Sequence, residues 1–299
     1  MNNTATKPAN QPDIPPFEVL RPAEWTAPVV FASPHSGRHY PPAFVAASQM
    51  DPTSLRRSED AFIDEIFGTA PDHGAPLLCA NFPRAFIDPN REAWELDPNM
   101  FDGPLPSYVN TSSPRIAAGL GTIARVVTNG ENIYASKLSF EDARLAIESH
   151  YMPYHEALAE LLAEASDRFG GCLLVDCHSM PSIGGPMDRD PGFRRVDFVL
   201  GDRHGEACAA EVTDLARSVL ESQDYLVTRN NPYAGGFTTV HYGRPKTGVH
   251  ALQIEINRGL YMDEMRVQRM DGLAPLRDNI SRLIETLAAI DSDMLRPAP

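Results

Sequence analysis

The sequence predicts an α/β fold built on one sheet with much parallel or mixed pairing. Apolar runs of strand length alternate along the chain with stretches whose apolar residues recur at helical spacing. One run, CLLVDCH (172–178), is almost continuously apolar, as a strand covered on both faces would be. At 299 residues the chain has room for one large domain or two small ones. No internal repeat or shift in composition marks a boundary. A single domain is therefore expected over residues 17–299. Residues 1–16 are polar and proline-bearing, and are expected to be a disordered lead-in.

VVFASP (29–34) reads as a strand. SEDAFIDEIFGTA (58–70) has helical spacing, with Phe62, Ile63, Ile66 and Phe67 on one face and acids on the other. PLLCA (76–80) is a strand, and AFID (85–88) and TIARVV (122–127) are further candidates. Arg91 to Gly121 is weakly patterned and is expected to be a surface loop long enough to shape a site. Residues 139–168 form a long amphipathic helix, with Ser139 as N-cap and Asp142 at the third helical position. Pro153 should kink or divide it, and Gly170 and Gly171 end it. DFVLGD (197–202) is a strand and HGEACAAEVTDLARSVLES (204–222) a helix. YLVT (225–228) and HALQIEIN (250–257) are strands, and a last amphipathic helix runs from near Met262 to about Ile290.

The formal charge of −14 argues against a nucleic-acid partner or an anionic membrane surface, because both need a basic patch. The four cysteines form no CxxC pair and read as buried free thiols of a reducing compartment. The N-terminus lacks the basic and apolar regions of a secretory signal, and no apolar run approaches membrane-spanning length. A soluble, cytoplasmic protein is expected.

Three strand ends deliver polar residues: His35 after VVFAS, then Asp176, His178 and Ser179 in VDCHS, then Glu255 in HALQIEIN. Ligands of open α/β sheets bind beyond the carboxyl ends of strands. Along residues 251–258, Leu252, Ile254 and Ile256 point one way, while Gln253, Glu255 and Asn257 point the other. His250 and Arg258 flank that strand, so its polar face is expected to line a cleft. His35 and His178 with one carboxylate would make a catalytic zinc pattern with an open position. SEDAFID offers Glu59, Asp60 and Asp64, the last two being four residues apart on one helix face. FPRAFIDPNR groups Arg84, Asp88, Asn90 and Arg91, and arginine suits a bidentate grip on a carboxylate. NNPYAGGFTTVHYGRP adds Asn231, Tyr233 and His241 around a Gly-Gly loop, a candidate flexible wall over the site or else an ordinary long hairpin.

SPHSGRHYP, EDAFIDEIF, FPRAFIDPNREAWELDP, LLVDCHSMPS, DFVLGDRHG, NNPYAGGFTTVHYGRP and HALQIEINRGLYMDE run in order from about Ser33 to Glu264. Together they resemble the N-formylglutamate amidohydrolase (deformylase) family. The resemblance implies a single-domain three-layer α/β/α fold with a mixed, largely parallel sheet, zinc carboxypeptidase (phosphorylase/hydrolase)-like. It implies one zinc ion per chain, with another divalent metal as the alternative, His35 and His178 as ligands and Glu255 as the catalytic glutamate. Asn90 and Arg91 would grip a substrate carboxylate and Arg84 a second one, with Asn231, Tyr233, His241 and Arg258 also toward substrate. The implied reaction is hydrolysis of N-formyl-L-glutamate, a small anionic N-acyl amino acid, to formate and L-glutamate in histidine degradation. A related zinc-dependent deacylase or small peptidase with another acyl group is the alternative. The chain departs from the His-x-x-Glu of carboxypeptidase-like enzymes, since the fourth letter of HSGR is Arg38. The ligand carboxylate is therefore expected from EDAFID, with Asp60 preferred and Asp64 as the alternative.

Overall fold

The computed structural model describes residues 14–127, 130–186, 188 and 190–297. Its main sheet has seven strands: β1 (Phe17–Leu20), β2 (Val29–Ser33), β3 (Leu77–Ala80), β4 (Cys172–Met180), β5 (Phe198–Gly201), β6 (Val227–Arg229) and β7 (Val249–Asn257). They lie in the order β1-β3-β2-β4-β7-β5-β6. The central run β3-β2-β4-β7 is parallel, because helix-bearing connections carry the chain back between those strands. β1 is antiparallel to β3 at one edge; at the other, β5 is antiparallel to β7 and β6 parallel to β5. A separate small hairpin pairs β8 (Met262–Asp263) with β9 (Gln268–Arg269).

Alternation along the strands builds two cores. Val29 and Phe31 of β2, Val175 and Cys177 of β4, and Leu252, Ile254 and Ile256 of β7 face one way, under the helices Ala210–Glu221 and Leu273–Ala288. Val30 and Ala32, Leu174 and Ala251 face the other way, under the helix Met152–Phe169. The result is the expected three-layer α/β/α arrangement around a mixed, largely parallel sheet.

Several elements differ from the sequence reading. Pro15 and Pro16 accept hydrogen bonds from Asn81, so the end of the expected lead-in is tied to the chain after β3; residues 1–13 lie outside the described residues. In 58–70 the helix covers only Ile63–Ile66, because Phe62 adopts φ 68° and reverses the chain just before it. AFID is a turn bracketed by Pro83 and Pro89, with Phe86 and Ile87 both donating to the Pro83 carbonyl. Among the described residues TIARVV forms only an isolated bridge, Val126 to Asn132, and its apolar residues pack as irregular chain. The long helix is divided: Phe140–Ala146 and Met152–Phe169 flank a π-turn at Ile147–Tyr151. Pro153 lacks an N–H and crowds the preceding turn, and the widened π-turn absorbs that crowding. The helix expected from Met262 starts at Leu273, after the β8–β9 hairpin. All four cysteines are free and buried, as expected. Among the described residues no helix is long and apolar enough to cross a membrane.

Candidate active site

The second core changes character at the carboxyl ends of the strands. On the face that carries Leu174 and Ala251, the next outward positions are Asp176 and His178 on β4 and Gln253 and Glu255 on β7. The parallel register sets Asp176 beside Gln253 and His178 beside Glu255. His35 enters from the loop after β2. That loop runs against the chain beyond β3: a Cβ on Gly37 would stand 2.1 Å from the Phe82 carbonyl oxygen, so only glycine fits there. The His35 carbonyl accepts the Asp60 N–H at 3.0 Å, which fixes Asp60 before the Phe62 reversal.

His35, Asp60 and His178 are all buried, and their ligand atoms lie within 4.8 Å of one another. Asp60 Oδ2 is 3.2 Å from His35 Nδ1 and 3.0 Å from His178 Nδ1. The second nitrogen of each ring backs onto another carboxylate: His35 Nε2 is 2.7 Å from Asp88 Oδ1, and His178 Nε2 is 3.0 Å from Asp176 Oδ2. That short Asp176 distance is not a well-directed hydrogen bond, and both Asp176 oxygens are buried without one. Asp60 Oδ1 accepts from Arg258 Nη2 at 2.8 Å and Ser179 Oγ at 3.2 Å.

Burial opposes charge on Asp60, but the hydrogen bonds from His178 and His35 and the Arg258 charge outweigh it and hold the carboxyl well below its ordinary value. Burial likewise opposes charge on Asp88, and Arg91, Arg84 and His35 outweigh it. Burial would lower His178, yet Asp176, Asp60 and Glu255 raise it well above an ordinary imidazole. Glu255 goes the other way: burial is the largest influence, Asp60 adds to it, and the carboxyl is pushed up to about 7.

The donor set fits a cation. Two imidazole nitrogens and one carboxylate oxygen converge, and each imidazole has a carboxylate behind it, the usual support of a metal-bound histidine. The unsatisfied Asp176 oxygens also fit. Once His178 Nδ1 is committed to a cation, Nε2 carries the ring proton, and Asp176 is the acceptor beside it.

The cluster opens into a cavity of about 680 Å³, lined by Arg84, Asn90, Arg91, Arg258, Tyr233 and Glu255 among others. Arg84 Nη2 donates to Asp88 Oδ2 at 2.8 Å. Arg91 donates to the Leu120 and Asn90 carbonyls, and its Nη2 lies 3.7 Å from Asp88. Asn90 is tied at both ends of its amide, to His178 Nε2 at 3.1 Å and to the Thr238 N–H at 2.8 Å. Gly236 packs on it so closely that a Cβ there would stand 2.4 Å from the Asn90 amide. The Gly236 N–H also donates to Gln253 Oε1, and Gln253 Nε2 to Glu255 Oε1 at 2.8 Å. The Gly-Gly loop is thus a fixed wall of the cavity rather than the flexible one expected, because its backbone is held to Gln253 and Asn90.

Of the residues singled out in the sequence, His35, Asp60, His178, Glu255, Arg84, Asn90, Arg91, Tyr233 and Arg258 are brought together here. Three are not. Asp64 does not share a helix face with Asp60, because the Phe62 reversal turns it outward to Arg38 at 3.0 Å, away from the cluster. Asn231 is exposed outside the cavity lining. His241 is exposed on the helix Phe237–Tyr242, stacked on Phe237. Arg258 is committed rather than free: its three nitrogens bond Ser179, Arg57 and Asp60. The 91–121 segment contributes Arg115, Leu120 and Gly121 to the wall, although Leu96, Met100 and Phe101 within it are buried. Asp88 and Asp176 were visible in DPNR and VDCH, but nothing in the letters shows that they stand behind the two histidines.

Residues 27–262 match the family model described as N-formylglutamate amidohydrolase. The N-formylglutamate deformylase of Pseudomonas aeruginosa is 30% identical over 278 residues, covering 91% of this chain and 97% of that one. The N-formylglutamate deformylase of Pseudomonas putida is 28% identical, covering 88% and 92%. The crystal structure of N-formylglutamate amidohydrolase from Ralstonia eutropha JMP134 superposes with a TM-score of 0.85 at 36% identity, covering 92% of this chain and 98% of that one. The chain belongs to the N-formylglutamate amidohydrolase family.

Proposed function

We propose that the chain hydrolyses N-formyl-L-glutamate to formate and L-glutamate with one zinc ion, as a single catalytic domain over residues 17–299 in the cytoplasm. One observation carries the reading: a buried His-Asp-His group next to a glutamate whose carboxyl is pushed up to about 7, both open to an arginine-lined cavity. The family relatives are named for this reaction.

His35, Asp60 and His178 would hold the metal, which when bound supplies Lewis acidity to the acyl oxygen and to water. Arg258 and Ser179 orient Asp60, while Asp88 and Asp176 orient the histidines. Glu255 accepts a proton from the attacking water and returns it to the amine nitrogen as the C–N bond breaks. Gln253 steers the Glu255 carboxylate by its 2.8 Å hydrogen bond. Arg91 and Asn90 face one substrate carboxylate. When Nε2 of His178 carries the ring proton, Asn90 Nδ2 loses its acceptor there and is left to donate to the substrate, while Oδ1 stays on the Thr238 N–H.

Release of L-glutamate from N-formyl-, N-acetyl- and N-succinyl-L-glutamate, measured alongside metal content, tests the reading. Turnover should be confined to the formyl compound and should follow zinc occupancy. Faster turnover of the acetyl or succinyl compound would replace it with the wider deacylase.

A further inference from the structure

Arg203 belongs to the cavity, yet it was not singled out in the sequence. It lies just beyond β5, which ends at Gly201 opposite Gln253 of β7. Asp202 turns away from the cavity to Thr213, Asn230 and Arg229. Arg203 and His204 both adopt φ 58°, a left-handed backbone that non-glycine residues enter only when their surroundings hold them there. The Arg203 N–H donates to the Ala234 carbonyl at 2.8 Å, and its Cδ packs 3.1 Å from where a Cβ on Gly235 would stand. The side chain is thereby directed along the same Gly-Gly wall that reaches Gln253 and Glu255.

Its charge sets it apart from the other arginines of the cavity. Arg84 and Arg91 share Asp88, Arg258 is bonded to Asp60, and Arg195 to Asp188 and Asp190. Arg115 lies 3.9 Å from Glu95. Among the described residues, the Arg203 guanidinium alone of this set has no carboxylate and no hydrogen-bond partner. A substrate with two carboxylates brings one more anion than the Asn90–Arg91 corner accounts for. Arg84, the sequence's choice for that second anion, already donates to Asp88 at 2.8 Å, whereas Arg91 stands off that carboxylate at 3.7 Å.

We infer that Arg203 anchors the side-chain carboxylate of the substrate and so sets the preference for an acidic amino acid. The inference rests on the proposed substrate and deepens it. Guanidinium and carboxylate pair through two parallel hydrogen bonds, which neither glutamine nor lysine at position 203 reproduces.

The test compares wild type, Arg203→Gln and Arg203→Lys in the zinc-loaded protein, with thermal melts to show that each variant is folded. Rates are measured on N-formyl-L-glutamate and on its neutral isostere N-formyl-L-glutamine. Binding of L-glutamate and L-glutamine is measured by calorimetry. Arg203→Gln should lower kcat/KM for N-formylglutamate by about 10- to 100-fold, the scale of a lost charge-assisted pair, and weaken L-glutamate binding similarly. Both glutamine compounds should change less than about threefold, the scatter of a neutral contact. Arg203→Lys should fall between. Equal losses on the charged and neutral compounds, or no loss on either, overturn the anchor. The two readings fail separately. Charge-selective L-glutamate binding lost in Arg203→Gln, without formate release by wild type, keeps the anchor and removes the reaction. Formate release with unaltered charge selectivity in Arg203→Gln does the reverse.

Discussion

Glu255→Gln removes a proton acceptor while keeping the side chain's shape, so it separates chemistry from binding and also reports on the electrostatics of the site. The Glu255 carboxyl rises from an ordinary 4.5 to about 7, chiefly because it is buried. Holding the ionised form in the metal-free protein therefore costs on the order of 3 kcal/mol. That figure is an upper bound, since the carboxylate borders a cavity that water can enter. Below an ordinary carboxyl pKa both folded and unfolded chains keep the proton, and the cost is absent. As pH rises toward about 7, the unfolded chain releases its proton first, so stability falls, and above about 7 the full cost is present. Glutamine escapes it. In chelator-treated protein, Glu255→Gln should melt within about a degree of wild type at pH 4.5 and several degrees higher at pH 8, at about 2 °C per kcal/mol for a chain of this size. In the zinc-loaded protein the gain should shrink, because the dication favours the ionised carboxylate. Turnover of N-formylglutamate should drop by about a hundredfold or more with zinc content unchanged. Equal melting differences at both pH values would refute the desolvation argument. Normal turnover with bound zinc would place the base elsewhere.

The remaining tests address the metal and the substrate grip. His35→Ala and His178→Ala should each lose most bound zinc by elemental analysis, and full occupancy in both would remove the metal assignment. Asp60→Asn should strip the metal while Asp64→Asn leaves it in place, because Asp64 faces Arg38 outside the cluster; the opposite pattern would reverse the choice of ligand. Zinc affinity should fall as pH is lowered, and proton competition should begin above the ordinary imidazole range, because Asp176, Asp60 and Glu255 raise His178. A competition titration that is flat from pH 8 to 6 would contradict this. Arg91→Lys keeps a charge but loses the planar fork, so KM for N-formylglutamate should rise while kcat falls less; an unchanged KM would make the DPNR segment structural.

The fold was legible wherever periodicity was strong. VVFAS and CLLVDCH announce two central strands because a parallel sheet covered on both faces needs apolar side chains on both. The alternation of Leu252, Ile254 and Ile256 with Gln253 and Glu255 separates the core face from the cavity face in the letters themselves. Where the reading failed, an apolar run was short and its outcome depended on distant contacts. AFID and TIARVV contain strand-forming residues but, among the described residues, join no strand of the sheet. The helical spacing of 58–70 is real, yet the left-handed Phe62 truncates the helix, a reversal that no local rule places at a phenylalanine.

The site divides along the same line. His35, His178 and Glu255 were legible because a polar residue at the buried end of a strand is costly unless it has work there. Asp60 was legible only as one acid of a pair, and the structure separates the two by chain direction rather than chemistry. The reversal at Phe62 carries Asp60 inward to the His35 carbonyl and Asp64 outward to Arg38. Arginines are the least legible, because their letter is the same whether the charge is taken or free. Arg258 reads as a substrate contact until its three nitrogens are found on Ser179, Arg57 and Asp60. Arg203 reads as an ordinary loop residue until every other arginine of the cavity is found paired. In a chain with an excess of 14 acidic side chains, a cavity arginine left without a carboxylate is the exception, and the substrate's own carboxylate is the partner that completes it.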